Sequence, residues 1–222
     1  MCTVEMLEDR YFTVTHRQLA WLKGERNGWQ FGEQGLIDSM IARLRKATAI
    51  DPVAIEIGAG DGDKLPLVSS RLIDDGWHVI AYESDEQSRK SLKARHESVD
   101  VRGGYSFGTV DPCSVLIIDI DGADSIAMES ALASCSPKLV CVEHYDKAGP
   151  YVTCGAASFD EPVPEWLLGM PLGLPKECGF VIQSQSEHLD EIARSHGYSP
   201  VCHTRVNSFY VPSDLLQELF HV

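Results

Sequence analysis

Short apolar runs alternate with amphipathic stretches along most of this chain. Val53–Ile57, Trp77–Tyr82, Val115–Asp121 and Leu139–Val142 are dense in β-branched and aliphatic residues and bounded by Gly, Asp or Pro. Such runs read as strands buried on both faces, the pattern of a parallel sheet covered by helices. The stretches between them carry apolar residues at helical spacing. Glu33–Lys46 places Leu36, Ile37, Met40, Ile41 and Leu44 on one face, which predicts an amphipathic helix. Lys64–Asp74, with Leu65, Leu67, Val68, Leu72 and Ile73, predicts a second helix ending at Asp75-Gly76.

Further along, Asp85–Glu97 has few apolar anchors and reads as a solvated outer helix. Val99–Arg102 reads as a short edge strand ending in Gly103-Gly104, and Asp111-Pro112 marks a turn. Ser125–Ser134 reads as a helix capped by Asp124. Glu187–His196 reads as a helix stopped by Gly197, and Ser199–Thr204 and Asn207–Val211 as two tightly joined antiparallel strands. Ser213–Phe220 closes the chain as a helix after Pro212. Val14–Lys23 gives an N-terminal helix, and Glu161–Leu168 a short one inside a Gly- and Pro-rich stretch. The fold class is therefore α/β: a mostly parallel sheet of about seven strands, an antiparallel last strand, and helices on both faces. Residues 1–50 are expected to form a helical segment packed on a core domain of residues 51–222. A lid or interface segment interrupts that domain at 145–185, since structureless loops of that length are uncommon unless functional.

Composition narrows the partners. A net charge of −14 disfavours nucleic acid and anionic membranes, which want basic patches. No apolar run reaches the roughly 20 residues of a membrane span. The seven cysteines are scattered and lack a Cys-x-x-Cys pair, which reads as reduced thiols in a cytoplasmic protein.

The chemistry gathers at strand ends. Glu56-Ile57-Gly58-Ala59-Gly60-Asp61-Gly62 follows the first core strand, a strand–Gly turn–helix corner of the kind that binds nucleotides. The third Gly comes one residue earlier than in the dinucleotide fingerprint, and Asp63 holds its place. Acids beside the turn suit the positive charges of S-adenosylmethionine better than a pyrophosphate. Glu83 ends the next strand about 20 residues on, where a ribose-binding carboxylate belongs; a carboxylate accepts from both hydroxyls of a diol. Because ligands of open α/β sheets bind outside the carboxyl ends of the strands, Glu56, Glu83, Asp119, Asp121, Glu143 and His144 are expected around one crevice. Arg102 and Lys147 are the cations nearest in sequence to balance them. Trp29, Phe31, Tyr145, Tyr151 and Trp166 are expected to flank it.

Four stretches together resemble a branch of the FkbM-type methyltransferases, within the class I S-adenosylmethionine-dependent superfamily. They are Phe31–Ile37, Ile55–Gly62, Ile117–Asp124 and Asn207–Val211. The sequence departs from that branch at Gln34, where an acid is usual, and at Ala123, where Asn is usual. The resemblance implies S-adenosylmethionine as cofactor, held by Glu33, Glu56, Gly58, Ala59, Gly60, Asp61, Gly62, Glu83, Ser84, Gly103 and Asp119. It implies O-methylation of a hydroxyl on a small molecule, sugar or glycan. The chemistry of the strand ends makes His144, Asp121 and Glu143 the catalytic candidates, since an alcohol acceptor needs a base. His144 leads, since histidine titrates nearest working pH. A magnesium or manganese ion, if present, would use Asp119, Asp121 and Glu143. A homo-oligomer is compatible with the sequence. Two other readings stay open: a non-catalytic binding protein on the same fold, and an NAD(P)-dependent oxidoreductase.

Overall fold

The structure is a computed structural model that describes residues 33–62, 69–120, 122–144, 185–203 and 207–220. The predicted helices at Val14–Lys23 and Glu161–Leu168 lie outside these residues, as does nearly all of the 145–185 segment.

Chain order runs α1 (Glu33–Ala47), β1 (Val53–Ile57), α2 (Ser70–Asp74), β2 (His78–Tyr82), α3 (Glu86–Arg95) and β3 (Asp100–Arg102). It continues with β4 (Val115–Ile118), α4 (Asp124–Leu132), β5 (Leu139–Glu143), α5 (Ser186–Ser195), β6 (Tyr198–His203) and β7 (Asn207–Pro212). A 3-10 turn (Ser213–Leu215) leads into α6 (Leu216–Phe220). The seven strands form one sheet in the order β3-β2-β1-β4-β5-β7-β6. The first five are parallel, and β7 runs antiparallel between β5 and β6. This is the sheet expected from the sequence. Strand order reverses between β1 and β4, which opens a crevice at their carboxyl ends.

Alternate residues of each strand feed two cores, as the two-residue period of a strand requires. Ala54, Val79, Ala81, Val115, Ile117, Cys141 and Phe209 face one core with Leu92 of α3 and Leu219 of α6. Leu36, Ile37, Met40, Ile41 and Leu44 of α1 complete it, all at most 4% exposed. Each such side chain is worth roughly 1.5–3 kcal/mol relative to exposure. Ile55, Ile57, Ile80, Leu116, Ile118, Val140 and Tyr210 face the other core, against Met128 and Leu132 of α4 and Leu189 and Ile192 of α5.

Three local readings change. The β4 strand stops at Ile118, so Asp119 and Ile120 belong to the loop beyond it. Ala123, not Asp124, is the N-cap of α4, and it sits in the left-handed region at φ +62°. The terminal helix begins as a 3-10 turn. Among the described residues no helix is long and apolar enough to cross a membrane.

Candidate functional site

The glycine turn is built by close approach of three strand ends. Ile57 accepts from Asp119 N–H at 2.9 Å, and Gly58 and Ala59 donate to the Tyr82 carbonyl at 2.9 and 3.1 Å. The turn therefore lies across the ends of β2 and β4. Gly58 has φ +91°, and a Cβ there would stand 1.7 Å from the Asp119 carbonyl oxygen. No other residue type fits without moving the backbone. The third glycine has a different job. At Gly62, φ +71°, a Cβ would meet Leu92 Cδ1 at 2.9 Å, so this position lets the turn close onto α3.

Glu83 joins the turn from the end of β2. The Gly60 N–H donates to Glu83 Oε2 at 2.7 Å, and the Asp85 N–H donates to Oε1 at 2.8 Å. The Ser84 hydroxyl lies 3.4 Å from Oε1, a contact long enough to yield to a closer donor. Two backbone N–H groups thus fix the half-buried carboxylate, and each oxygen retains acceptor capacity. Asp85 caps α3 by accepting from Ser88 N–H at 2.7 Å, which holds its carboxyl below the usual range. Arg89, one turn into that helix, donates to the Glu83 and Ser84 carbonyls. Sequence spacing gave no signal for this arginine. Gly103 is exposed just past β3. A Cβ on the next residue, Gly104, would stand 3.2 Å from Ser84 Cβ, so the ends of β2 and β3 also lie close together.

Glu56 takes a supporting position. It is 1% exposed and accepts from the Ser69 N–H at 2.9 Å and from the Ser69 hydroxyl. Ser69 precedes α2, so this carboxylate ties the far side of the turn to the start of the helix beneath it.

The loop after β4 is organised by a residue expected only to cap a helix. Asp124 is 1% exposed, and its two oxygens accept from Ile120 N–H and Gly122 N–H, each at 3.0 Å. The carboxyl reaches backward and folds the loop over itself, instead of reaching forward along α4. Burial pushes its pKa up to about 7, opposed by the Ile120 hydrogen bond and reinforced by the charge of Asp119. Asp119 is half-buried at the mouth of this loop. Asp121 lies outside the described residues.

The β5 end carries Glu143, half-buried, and His144, 2% exposed. Antiparallel pairing sets Asn207 opposite Glu143. The same pairing brings β6 around, so that His203 meets the His144 ring edge-to-face at 5.7 Å. His203 Nδ1 lies 2.8 Å from the Ser208 hydroxyl, and its Nε2 lies 3.7 Å from Asp190 Oδ1. Asp190 also accepts from Arg194 at 3.1 Å. Sequence reading missed His203 and Asp190, which share no motif with His144.

The expected cations go elsewhere. Arg102 pairs with Asp100 at 2.8 Å and with Asp111, and it donates to the Tyr82 hydroxyl at 3.0 Å. These bonds serve the β3 edge and not the crevice acids. Lys147 and the aromatics Trp29, Phe31, Tyr145, Tyr151 and Trp166 lie outside the described residues. So does the Glu33 side chain, although its backbone opens α1. Among the described residues, no group of three or more His, Cys, Asp or Glu side chains could hold a metal ion.

No family model matches the chain, and no curated protein matches its sequence. Solved structures do resemble its fold. The magnesium protoporphyrin IX methyltransferase ChlM from Synechocystis PCC 6803, with bound SAH, superposes with a TM-score of 0.53 at 14% identity, covering 88% of this chain and 92% of that one. DesVI from Streptomyces venezuelae gives 0.52 at 11% identity over 90% of this chain and all of the other. CalS10, an amino pentose methyltransferase from Micromonospora echinaspora with SAM bound, gives 0.51 at 11% identity over 92% and 99%. The chain has the Rossmann-like fold shared by these structures.

Proposed function

We propose that this protein is an S-adenosylmethionine-dependent methyltransferase that methylates a hydroxyl of a small molecule, a sugar or glycan among the candidates. The observation that carries the reading is the Gly60-to-Glu83 hydrogen bond of 2.7 Å. It joins the glycine turn to the Glu83 carboxylate at the switch point, where such a sheet binds its ligand, and so supports a diol-binding role for Glu83.

The residues fit the cofactor. Gly58 and Gly62 let the turn pack tightly against the end of β4 and against α3, where any Cβ would collide. Glu83 keeps acceptor capacity for two ribose hydroxyls. The acids of the crevice favour a ligand that carries a sulfonium and an ammonium. When bound, S-adenosylmethionine supplies an electrophilic methyl group. The chain's own part is to hold the acceptor in line with that methyl, since orientation is worth much of the barrier, and to take up the hydroxyl proton. His144 is our first choice for the proton, with Asp121 and Glu143 as further candidates. Structural likeness to ChlM and CalS10, both described as methyltransferases, supports the cofactor. The FkbM-type assignment and hydroxyl acceptor rest on the sequence stretches.

The test is incubation of the protein with S-adenosylmethionine and a panel of hydroxylated small molecules and sugars, following release of S-adenosylhomocysteine. Acceptor-dependent release is expected, with methylation at oxygen. Cofactor binding without release for any acceptor would instead favour a binding protein on this fold.

A further inference from the structure

At the amino ends of the parallel strands, away from the crevice, two cysteines are held together. Cys113 precedes β4 and Cys135 follows α4. The two segments are clasped on both sides of the pair. Val110 N–H donates to the Ser134 hydroxyl at 3.1 Å. Lys138 and Leu139 N–H both donate to the Ser114 carbonyl, at 2.8 and 3.0 Å. Both thiols pack into the same apolar cluster, Cys135 within it and Cys113 against it. The clasped segments set the two side chains near enough to act on each other, which pushes Cys113 up and Cys135 down in pKa. Cys113 is half-buried and Cys135 buried. Cys141 and Cys202 are buried at 1% exposure each, and burial alone pushes the Cys202 thiol up to about 12.

We propose that Cys113 and Cys135 form a redox-active dithiol that closes to an intramolecular disulfide by exchange with a small-molecule disulfide of the glutathione class. The more exposed Cys113 sulfur, once deprotonated, attacks one sulfur of the oxidant. A mixed disulfide forms and one glutathione thiolate leaves. Cys135, on the neighbouring segment, then attacks the Cys113 sulfur as its thiolate and expels the second glutathione. The two thiol protons end on the two glutathione thiolates, so one disulfide is reduced for each one formed. Because the first step needs the Cys113 thiolate, closure speeds up as pH rises. The link would staple the loop before β4 to the loop after α4, closing a loop that spans both elements.

The test treats the reduced full-length protein with excess glutathione disulfide and maps the digest by mass spectrometry. The proposal expects a peptide joining Cys113 to Cys135, an intact mass lower by two hydrogen atoms, and no retained glutathione at either position. Cys135→Ser should trap glutathione on Cys113, and Cys113→Ser should lose the link. A wild-type protein that keeps glutathione on Cys113, joins Cys113 to a different cysteine, or leaves both thiols free would overturn it. The wild-type map is decisive whether or not the serine variants fold.

Discussion

A Cβ on Gly58 would stand 1.7 Å from the carbonyl oxygen of Asp119. That single distance states how the site is made. The turn after β1 packs closely on the backbone just past β4, at the point where strand order reverses.

Gly58→Ala therefore combines a left-handed φ with a backbone collision. We expect a loss of roughly 3 kcal/mol or more in urea unfolding. Gly76→Ala is the control: φ is +78°, yet nothing lies within 4 Å of the new Cβ. Its cost should be strain alone, about 1–2 kcal/mol. Equal losses in the two variants would show that the Asp119 contact does not constrain Gly58.

Ala123 sits at φ +62° without being glycine, at the position where the resembling family uses Asn. Asn tolerates that conformation better than alanine does. Ala123→Gly removes the strain and pays part of it back in unfolded-state entropy. The net effect should be a gain of about 0.5–1 kcal/mol, read from the denaturation midpoint. A loss of stability would mean that the Ala123 methyl, 5% exposed, contributes more by packing than its backbone costs.

The sheet was legible because its strands are buried on both faces and therefore read as unbroken apolar runs. The α1 helix was legible because its five core residues repeat at helical spacing. Glu83 was legible because a parallel sheet fixes how far past the turn the next strand ends. What sequence did not reveal depends on side-chain direction and distant pairing. Asp124 reaches back to Ile120 and Gly122 because Ala123 turns left-handed, and nothing in the residue types announces that turn. His203 meets His144 only through the antiparallel β5-β7-β6 pairing. Arg102 looked like a neutraliser of the crevice, but Asp100 and Asp111 on its own edge claim it.

Asp124 gives a pH dependence with a definite sign. Its folded pKa, about 7, lies above its usual 3.8, so the folded state binds the proton more tightly than the unfolded chain. Stability from this group is fully present below the unfolded pKa and falls as pH rises from about 4 to about 7, then levels off. Asp124→Asn should flatten that slope. It should also lower stability throughout, by about 1–3 kcal/mol, because one backbone N–H loses its acceptor. Urea unfolding of both proteins at about pH 5 and about pH 8 checks this; an unchanged slope in the variant would refute it.

His144→Ala should lower turnover by roughly 10²–10⁴-fold, the usual contribution of general acid–base catalysis. Cofactor affinity should stay nearly constant, because the glycine turn and Glu83 lie on β1 and β2. His203→Ala is the comparison, since that ring touches His144 edge-to-face without being our candidate base. Steady-state kinetics with circular dichroism as a folding control separates the two. Full activity in His144→Ala would remove it from the chemistry.

The central claim is that Glu83 and the glycine turn form an S-adenosylmethionine pocket, and calorimetric titration tests it most directly. Wild type should bind S-adenosylmethionine and S-adenosylhomocysteine in the micromolar range, about −8 kcal/mol. Glu83→Ala should lose at least about tenfold, or 1.4 kcal/mol, while remaining folded. Absence of binding by the wild type, or undiminished binding by Glu83→Ala, would contradict the account.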